Sequence, residues 1–135
     1  MSRTLIYGGS FNPPHLGHVE AFAAARAHLQ PERSLIIPSR VPPHKALAAG
    51  SPESEERLEL TRLAFAAFPE AEVSDMELRR QGVSFTYETI NALKEQYPDA
   101  ELILLMGTDM FLSFHTWKNP QEIIKKATLG VFYRG

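Results

Sequence analysis

The sequence predicts an α/β fold built on one parallel, doubly wound sheet of about five strands. Three observations lead there: five short apolar runs of strand length, helix-like segments between them, and unusual loops after the first four runs. Such alternation implies right-handed crossovers, which cover both faces of the sheet with helices. It also gathers the loops that follow the strands along one edge, where ligands bind in sheets of this kind.

The first run, "RTLIYG" (3–8), passes through "GGSFNPPHLGH" (8–18) into an Ala- and Leu-rich helical segment over 16–29. "SLIIP" (34–38) is the second strand. Beyond it, Ser51 and Pro52 supply a cap and a first-turn proline for "ESEERLELTRLAFAAF", which has early acids and an apolar stripe. "AEVSDM" (71–76) is the third strand, and Thr86 is placed to cap "YETINALKEQYP". "ELILLM" (101–106) is the fourth; Asn119-Pro120 then opens "QEIIKKA" ahead of the last strand, "TLGVFY" (128–133). There is no internal repeat, and the Pro/Ala/Gly stretch at 41–52 reads as a loop, so residues 1–135 are expected to form a single domain.

A chain of 135 residues can bury a core without staples. Its 14 Lys plus Arg against 16 Asp plus Glu, a net charge of -2, argue against nucleic acid or an acidic membrane as partner. Any recognition of phosphate must therefore be local. The absence of cysteine removes disulfides and thiolate metal sites and suits a reducing cytoplasm. No apolar run has the length of a signal peptide or membrane span, and the expectation is a soluble cytoplasmic protein.

Four loops fall on the ligand edge: "GGSFNPPHLGH", "PSRVPPHKALAAGSP", "ELRRQGVSFT" and "GTDMFLSFHTW". In the first, Gly8 and Gly9 allow close approach of a ligand or positive φ, and Pro13 and Pro14 hold the turn open until a helix starts near Leu16. That helix start offers unpaired N–H groups and a positive dipole end to an anion. His15 and His18, three apart, share a face there. Neither GxGxxG nor GxxxxGK[ST] is present, and zinc on His15 and His18 would need His44 as third ligand without an HExxH glutamate. In the last loop, Asp109 could accept hydrogen bonds from a ribose or cap the helix "MFLSF", and Gly107 could admit a base or sugar. Trp117 is the only tryptophan. Arg79 and Arg80 read as solvated charges.

"GGSFNPPHLGH" closely resembles the signature of the HxGH nucleotidylyltransferases, a Rossmann-like family that joins a nucleoside monophosphate to a phosphate-bearing acceptor. "PSRVPPHK" (38–45), "DMELRRQGVSFTYET" (75–89) and "GTDMFLSFHTW" (107–117) narrow the resemblance, in order and spacing, to bacterial nicotinate-nucleotide adenylyltransferases. Asn12 departs from the family's usual aspartate.

The resemblance implies transfer of AMP from ATP to nicotinate mononucleotide, giving nicotinate adenine dinucleotide and pyrophosphate, with Mg2+ accompanying ATP and held by no dedicated protein cage. It implies His15, His18 and Lys45 as catalytic residues. The ATP site would comprise Gly8, Gly9, Ser10, Phe11, His18, Gly107 and Asp109. The mononucleotide site would comprise His44, Lys45, Thr86 through its backbone N–H, Trp117 by stacking on the pyridine ring, and Arg134. A homo-oligomer stays open. A sister enzyme such as a pantetheine-phosphate adenylyltransferase should lack "PPHK" and the Trp117 loop, and a non-catalytic nucleotide-binding relative should lack a phosphate-neutralising group. Related enzymes also carry a later ISSTxxR segment, and no "SST" occurs here. The expectation is a C-terminally incomplete ATP site with an exposed flank beside the last strand.

Overall fold

The strands at the centre of the sheet are apolar on consecutive rather than alternate residues, because both of their faces are covered. A computed structural model describes residues 2–11, 13–39, 54–80 and 84–133. Its strands are β1 (Arg3–Gly9), β2 (Arg33–Pro38), β3 (Ala71–Val73), β4 (Glu101–Gly107) and β5 (Ala127–Phe132), all parallel, in the order β3-β2-β1-β4-β5. In register, Ile6 of β1 lies between Leu35 of β2 and Leu104 of β4. The winding reverses beside β1, which opens a crevice at the carboxyl ends of β1 and β4.

The helices are α1 (Leu16–Leu29), α2 (Ser54–Ala64), α3 (Thr86–Gln96), α4 (Thr108–Leu112) and α5 (Pro120–Lys126). On one face, Leu5, Tyr7, Ile36, Ile103 and Leu105 pack with Phe22 of α1 and with Phe65 just past α2. On the other, Ile6, Leu35, Ile37, Leu102, Leu104 and Met106 pack with Ile90 and Leu93 of α3 and Ile123 of α5. The sheet is therefore doubly wound, as the strand-helix alternation predicts.

Element ends depart from expectation in three places. Thr86 is the first helical residue of α3 rather than its cap; the cap position is Phe85, whose N–H donates to Glu88 Oε1 at 3.3 Å. β3 stops at Val73 instead of 76: Ser74 N–H makes the last main-chain bond to β2, donating to Ile36 O at 2.8 Å, and beyond it the chain turns, with Met76 N donating to Ser74 Oγ at 3.3 Å. Asn119 does occupy the cap of α5 with Pro120 at its start, but in the left-handed region (φ 50°) and without a side-chain cap bond. Asparagine tolerates that conformation better than most residues. Ser51 and Pro52 lie outside the described residues.

Phe22 is the one buried residue of α1, and its ring meets Phe65 at 5.6 Å and Phe68 at 5.1 Å, both edge-on. Phe22→Ala should lower stability by about 3–5 kcal/mol, read as a lower urea midpoint at unchanged slope. An unmoved midpoint would show that α1 is held by something other than this aromatic cluster.

Candidate active site

The carboxyl ends of β1, β2 and β4 open into a cavity of about 860 Å3. Of the residues expected at the site, Gly8, Gly9, Ser10, Phe11, His18, Thr86, Gly107 and Trp117 line it. His15 does not; it borders an adjoining cavity of about 550 Å3, which shares Tyr7, His18 and Phe132 with the first. His44, Lys45, Arg134 and Asn12 lie outside the described residues.

The two histidines are built into the helix start. His15 is the N-cap of α1, and its Nδ1 accepts from Gly17 N at 3.1 Å; His18 Nδ1 accepts from His15 N at 3.0 Å. This is a reciprocal capping box made by imidazoles instead of a hydroxyl and a carboxylate. Both rings therefore accept through Nδ1, which assigns the proton of each neutral ring to Nε2. The rings stack at 3.8 Å. Gly17 is required by this arrangement: a Cβ there would come within 2.9 Å of His15 Cε1. The expectation of two imidazoles beside the helix start holds, but that of unpaired N–H groups there does not: the N–H groups of His15 and Gly17 donate to the two rings and those of His18 and Val19 to His15 O.

The positive backbone angle falls elsewhere than expected. Gly8 and Gly9 belong to β1 and neither takes a positive φ; Phe11 does, at 45°. Its ring folds back over Gly9, where a Cβ would meet it at 3.3 Å, and presents its edge to His18 at 5.0 Å. Phe11 is also fully buried, so apolar packing with Tyr7 and Phe65 offsets the strain of a left-handed phenylalanine.

The opposite wall comes from α3 and the segment after α4. Trp117 both lines the cavity and packs on the core, tilted against Phe114 at 5.1 Å, so anchoring does not exclude exposure of a ring face. Lys118 Nζ stands 5.4 Å from the Phe85 ring, and both residues line the cavity. Glu77, Ser84 and Thr89 line the cavity beside them: Glu77, largely buried, accepts from Thr89 Oγ1 at 2.6 Å, while Arg80 Nη1 donates to Thr89 Oγ1 at 2.7 Å and Ser84 Oγ at 2.9 Å. Arg79 is indeed a surface charge, paired with Asp75. Arg80 is not: it is tied into the wall. Burial pushes the Glu77 carboxyl above its ordinary value, against the Thr89 hydrogen bond and the Arg80 charge, which pull it down.

Asp109 is exposed in the first turn of α4 and is not its cap, a position held by Gly107. It lies outside the cavity lining. Arg57 is a residue that sequence reasoning missed; its guanidinium reaches the loops after β1 and β2 from within the fold. A signal exists in the spacing of Arg57, Thr61 and Phe65, which recur every four residues and are all buried.

Residues 6–135 match the family model described as cytidylyltransferase-like. The probable nicotinate-nucleotide adenylyltransferase of Aquifex aeolicus is 37% identical over 130 residues, covering 96% of this chain and 76% of that protein. Its counterpart in Acidithiobacillus ferrooxidans is 40% identical over 122 residues, covering 89% of this chain but 54% of its own length. The chain thus spans between about half and three quarters of these relatives. A Plasmodium falciparum nicotinic acid mononucleotide adenylyltransferase solved with NaAD superposes with a TM-score of 0.87 at 18% identity, over 100% of this chain and 66% of that one. At that identity the likeness is one of fold.

His15→Ala should remove the ring that takes the Gly17 N–H, costing about 0.5–2 kcal/mol, the usual range for a lost N-cap. An unchanged urea midpoint would contradict the capping role. Glu77 gives a second expectation. Its folded-state pKa lies above the unfolded value, so the folded chain binds this proton first and stability falls as pH rises through the folded value. On acidification from about pH 7, wild type should gain stability relative to Glu77→Gln, and the difference should level off below 4.5. A difference independent of pH would contradict this.

Proposed function

The chain belongs to the nicotinate-nucleotide adenylyltransferases and to the wider cytidylyltransferase-like family, and from that premise we propose that it transfers the adenylyl group of ATP to nicotinate mononucleotide. The observation that carries the proposal is the division of one cavity into two unlike walls. Along one is His18, in the first turn of α1, beside the Gly8–Phe11 turn, suited to phosphate; along the other are Thr86, Phe85 and Trp117, suited to an aromatic ring with a small polar substituent.

In the proposed reaction a phosphate oxygen of the mononucleotide bonds to the α-phosphorus of ATP. The bond from that phosphorus to the oxygen bridging the β-phosphate breaks, and its electron pair leaves with pyrophosphate. The acceptor phosphate, with a second pKa of about 6, is largely a dianion at neutral pH and needs no general base. The protein's task is positioning and charge stabilisation. His18 would donate through Nε2, because its Nδ1 is occupied by the His15 N–H. His15 would support it by stacking and by holding the helix start, and His44, Lys45 and Arg134 would add positive charge. Asp109, at the first turn of α4, would accept from a ribose extending past the cavity.

Magnesium belongs to the proposal as part of the substrate, on the triphosphate oxygens. Among the described residues no three His, Cys, Asp or Glu side chains converge to hold a metal ion. No helix of the described residues is long and apolar enough to cross a membrane, and a cytoplasmic location is part of the same proposal.

The direct test is to incubate the chain with magnesium, ATP and either nicotinate or nicotinamide mononucleotide and to identify the product by mass. The expected product is the nicotinate dinucleotide, with the nicotinamide substrate disfavoured because backbone N–H donors near Thr86 suit a carboxylate. His18→Ala should cut kcat roughly 100- to 1,000-fold, about 2.7–4 kcal/mol, without unfolding the chain. No product with either mononucleotide, or full activity in a folded His18→Ala variant, would overturn the assignment.

A further inference from the structure

Arg57 is the largest fully buried side chain described, 1% exposed. Its Nη1 donates to two main-chain carbonyls, Ser10 O at 2.7 Å and Ser39 O at 2.8 Å, and its Nη2 to Ser54 Oγ at 3.1 Å. Among the described residues no carboxylate pairs with it, and its Nε has no hydrogen-bond partner. Burying a guanidinium on these terms is unfavourable compared with an apolar side chain of similar volume. What arginine supplies that an apolar residue cannot is a bridge between the two carbonyls.

Those carbonyls belong to the residues that directly follow β1 and β2. Ser39 N–H also donates to Gly9 O at 2.8 Å, so the two loops leave the sheet joined twice. Ser10 precedes Phe11, the residue held at φ 45°, and the Phe11 ring lies edge-on to His18 at 5.0 Å. A continuous line of contact therefore runs from the Arg57 guanidinium through the Ser10–Phe11 turn to the imidazole that faces the cavity.

We infer that Arg57 is a positioning residue: it locks the loops after β1 and β2 into one unit and so fixes the Ser10–Phe11 turn against His18. The inference rests on the adenylyltransferase assignment for its kinetic consequence, and on geometry alone for its structural one. Lysine is no equivalent, since its ammonium ends one bond short of the position Nη1 occupies.

The test compares wild type with Arg57→Met, Arg57→Lys and Arg57→Ala. Arg57→Met should keep a cooperative urea transition, and its kcat should fall by roughly 100-fold, the scale set by an ångström of misplacement, with smaller changes in KM. Arg57→Lys should lose less. Guanidinium ion at millimolar concentration should restore part of the activity of Arg57→Ala and none of that of His18→Ala. Hydrogen exchange should quicken at the amides of Phe11 and Ser39 in Arg57→Met while those of β4 stay unchanged. Wild-type kcat in a folded Arg57→Met variant, or exchange that quickens uniformly across the sheet, would overturn the inference. If Arg57→Met does not fold, Arg57→Lys carries the same pair of readouts. A wild-type chain that makes no dinucleotide would defeat the assigned reaction instead, and the exchange measurement would still decide whether Arg57 clamps the loops.

Discussion

Two ring nitrogens close the first turn of α1, and the candidate site depends on them. His15 Nδ1 takes the Gly17 N–H and His18 Nδ1 takes the His15 N–H, so donors that a helix start would otherwise leave to solvent are satisfied by imidazole. The glycine between the histidines follows from this, because His15 lies where a Cβ would stand. So does the direction of the chemistry. With Nδ1 engaged by the backbone, each neutral ring carries its proton on Nε2, and His18 lines the cavity. Capping thus uses one edge of each ring and sets the proton on the opposite one.

The parallel order of the sheet makes the rest of the site possible. Segments distant in sequence, the turn after β1, Ser39 after β2, the 84–86 stretch that enters α3 and the 107–118 stretch from the end of β4, share one edge because every strand points the same way. Helices α1 and α2 cover one face and α3 and α5 the other, so the two walls of the cavity come from opposite sides of the sheet. The first wall carries the Gly8–Phe11 turn and His18. Its partner carries Trp117, Phe85 and the buried Glu77–Thr89–Arg80 network that stiffens it.

Much of this was legible in the sequence, for identifiable reasons. Strands β1, β2 and β4 are short unbroken apolar runs, and burial on both faces leaves no other way to write them. His15 and His18 were legible as a pair because a spacing of three sets them on one face at a helix start. The left-handed residue was not: glycine is the default carrier, and only tertiary packing around the Phe11 ring explains its appearance there. Arg57 and Arg80 were hidden for a related reason, since a charged side chain reads as solvated until the loops that receive its hydrogen bonds are in place. Thr86 looked like a cap by residue type, yet Glu88 reaching back to Phe85 N supplies the satisfaction that a threonine hydroxyl would have given.

The central claim is that both imidazoles accept from backbone N–H groups through Nδ1 and so carry the proton of the neutral ring on Nε2. Nitrogen-15 NMR of the histidine rings at neutral pH reads this directly, through the shifts and couplings that separate the two tautomers. For His15 and His18 alike the account predicts an unprotonated Nδ1 and a protonated Nε2. A proton on Nδ1 of either neutral ring would contradict it.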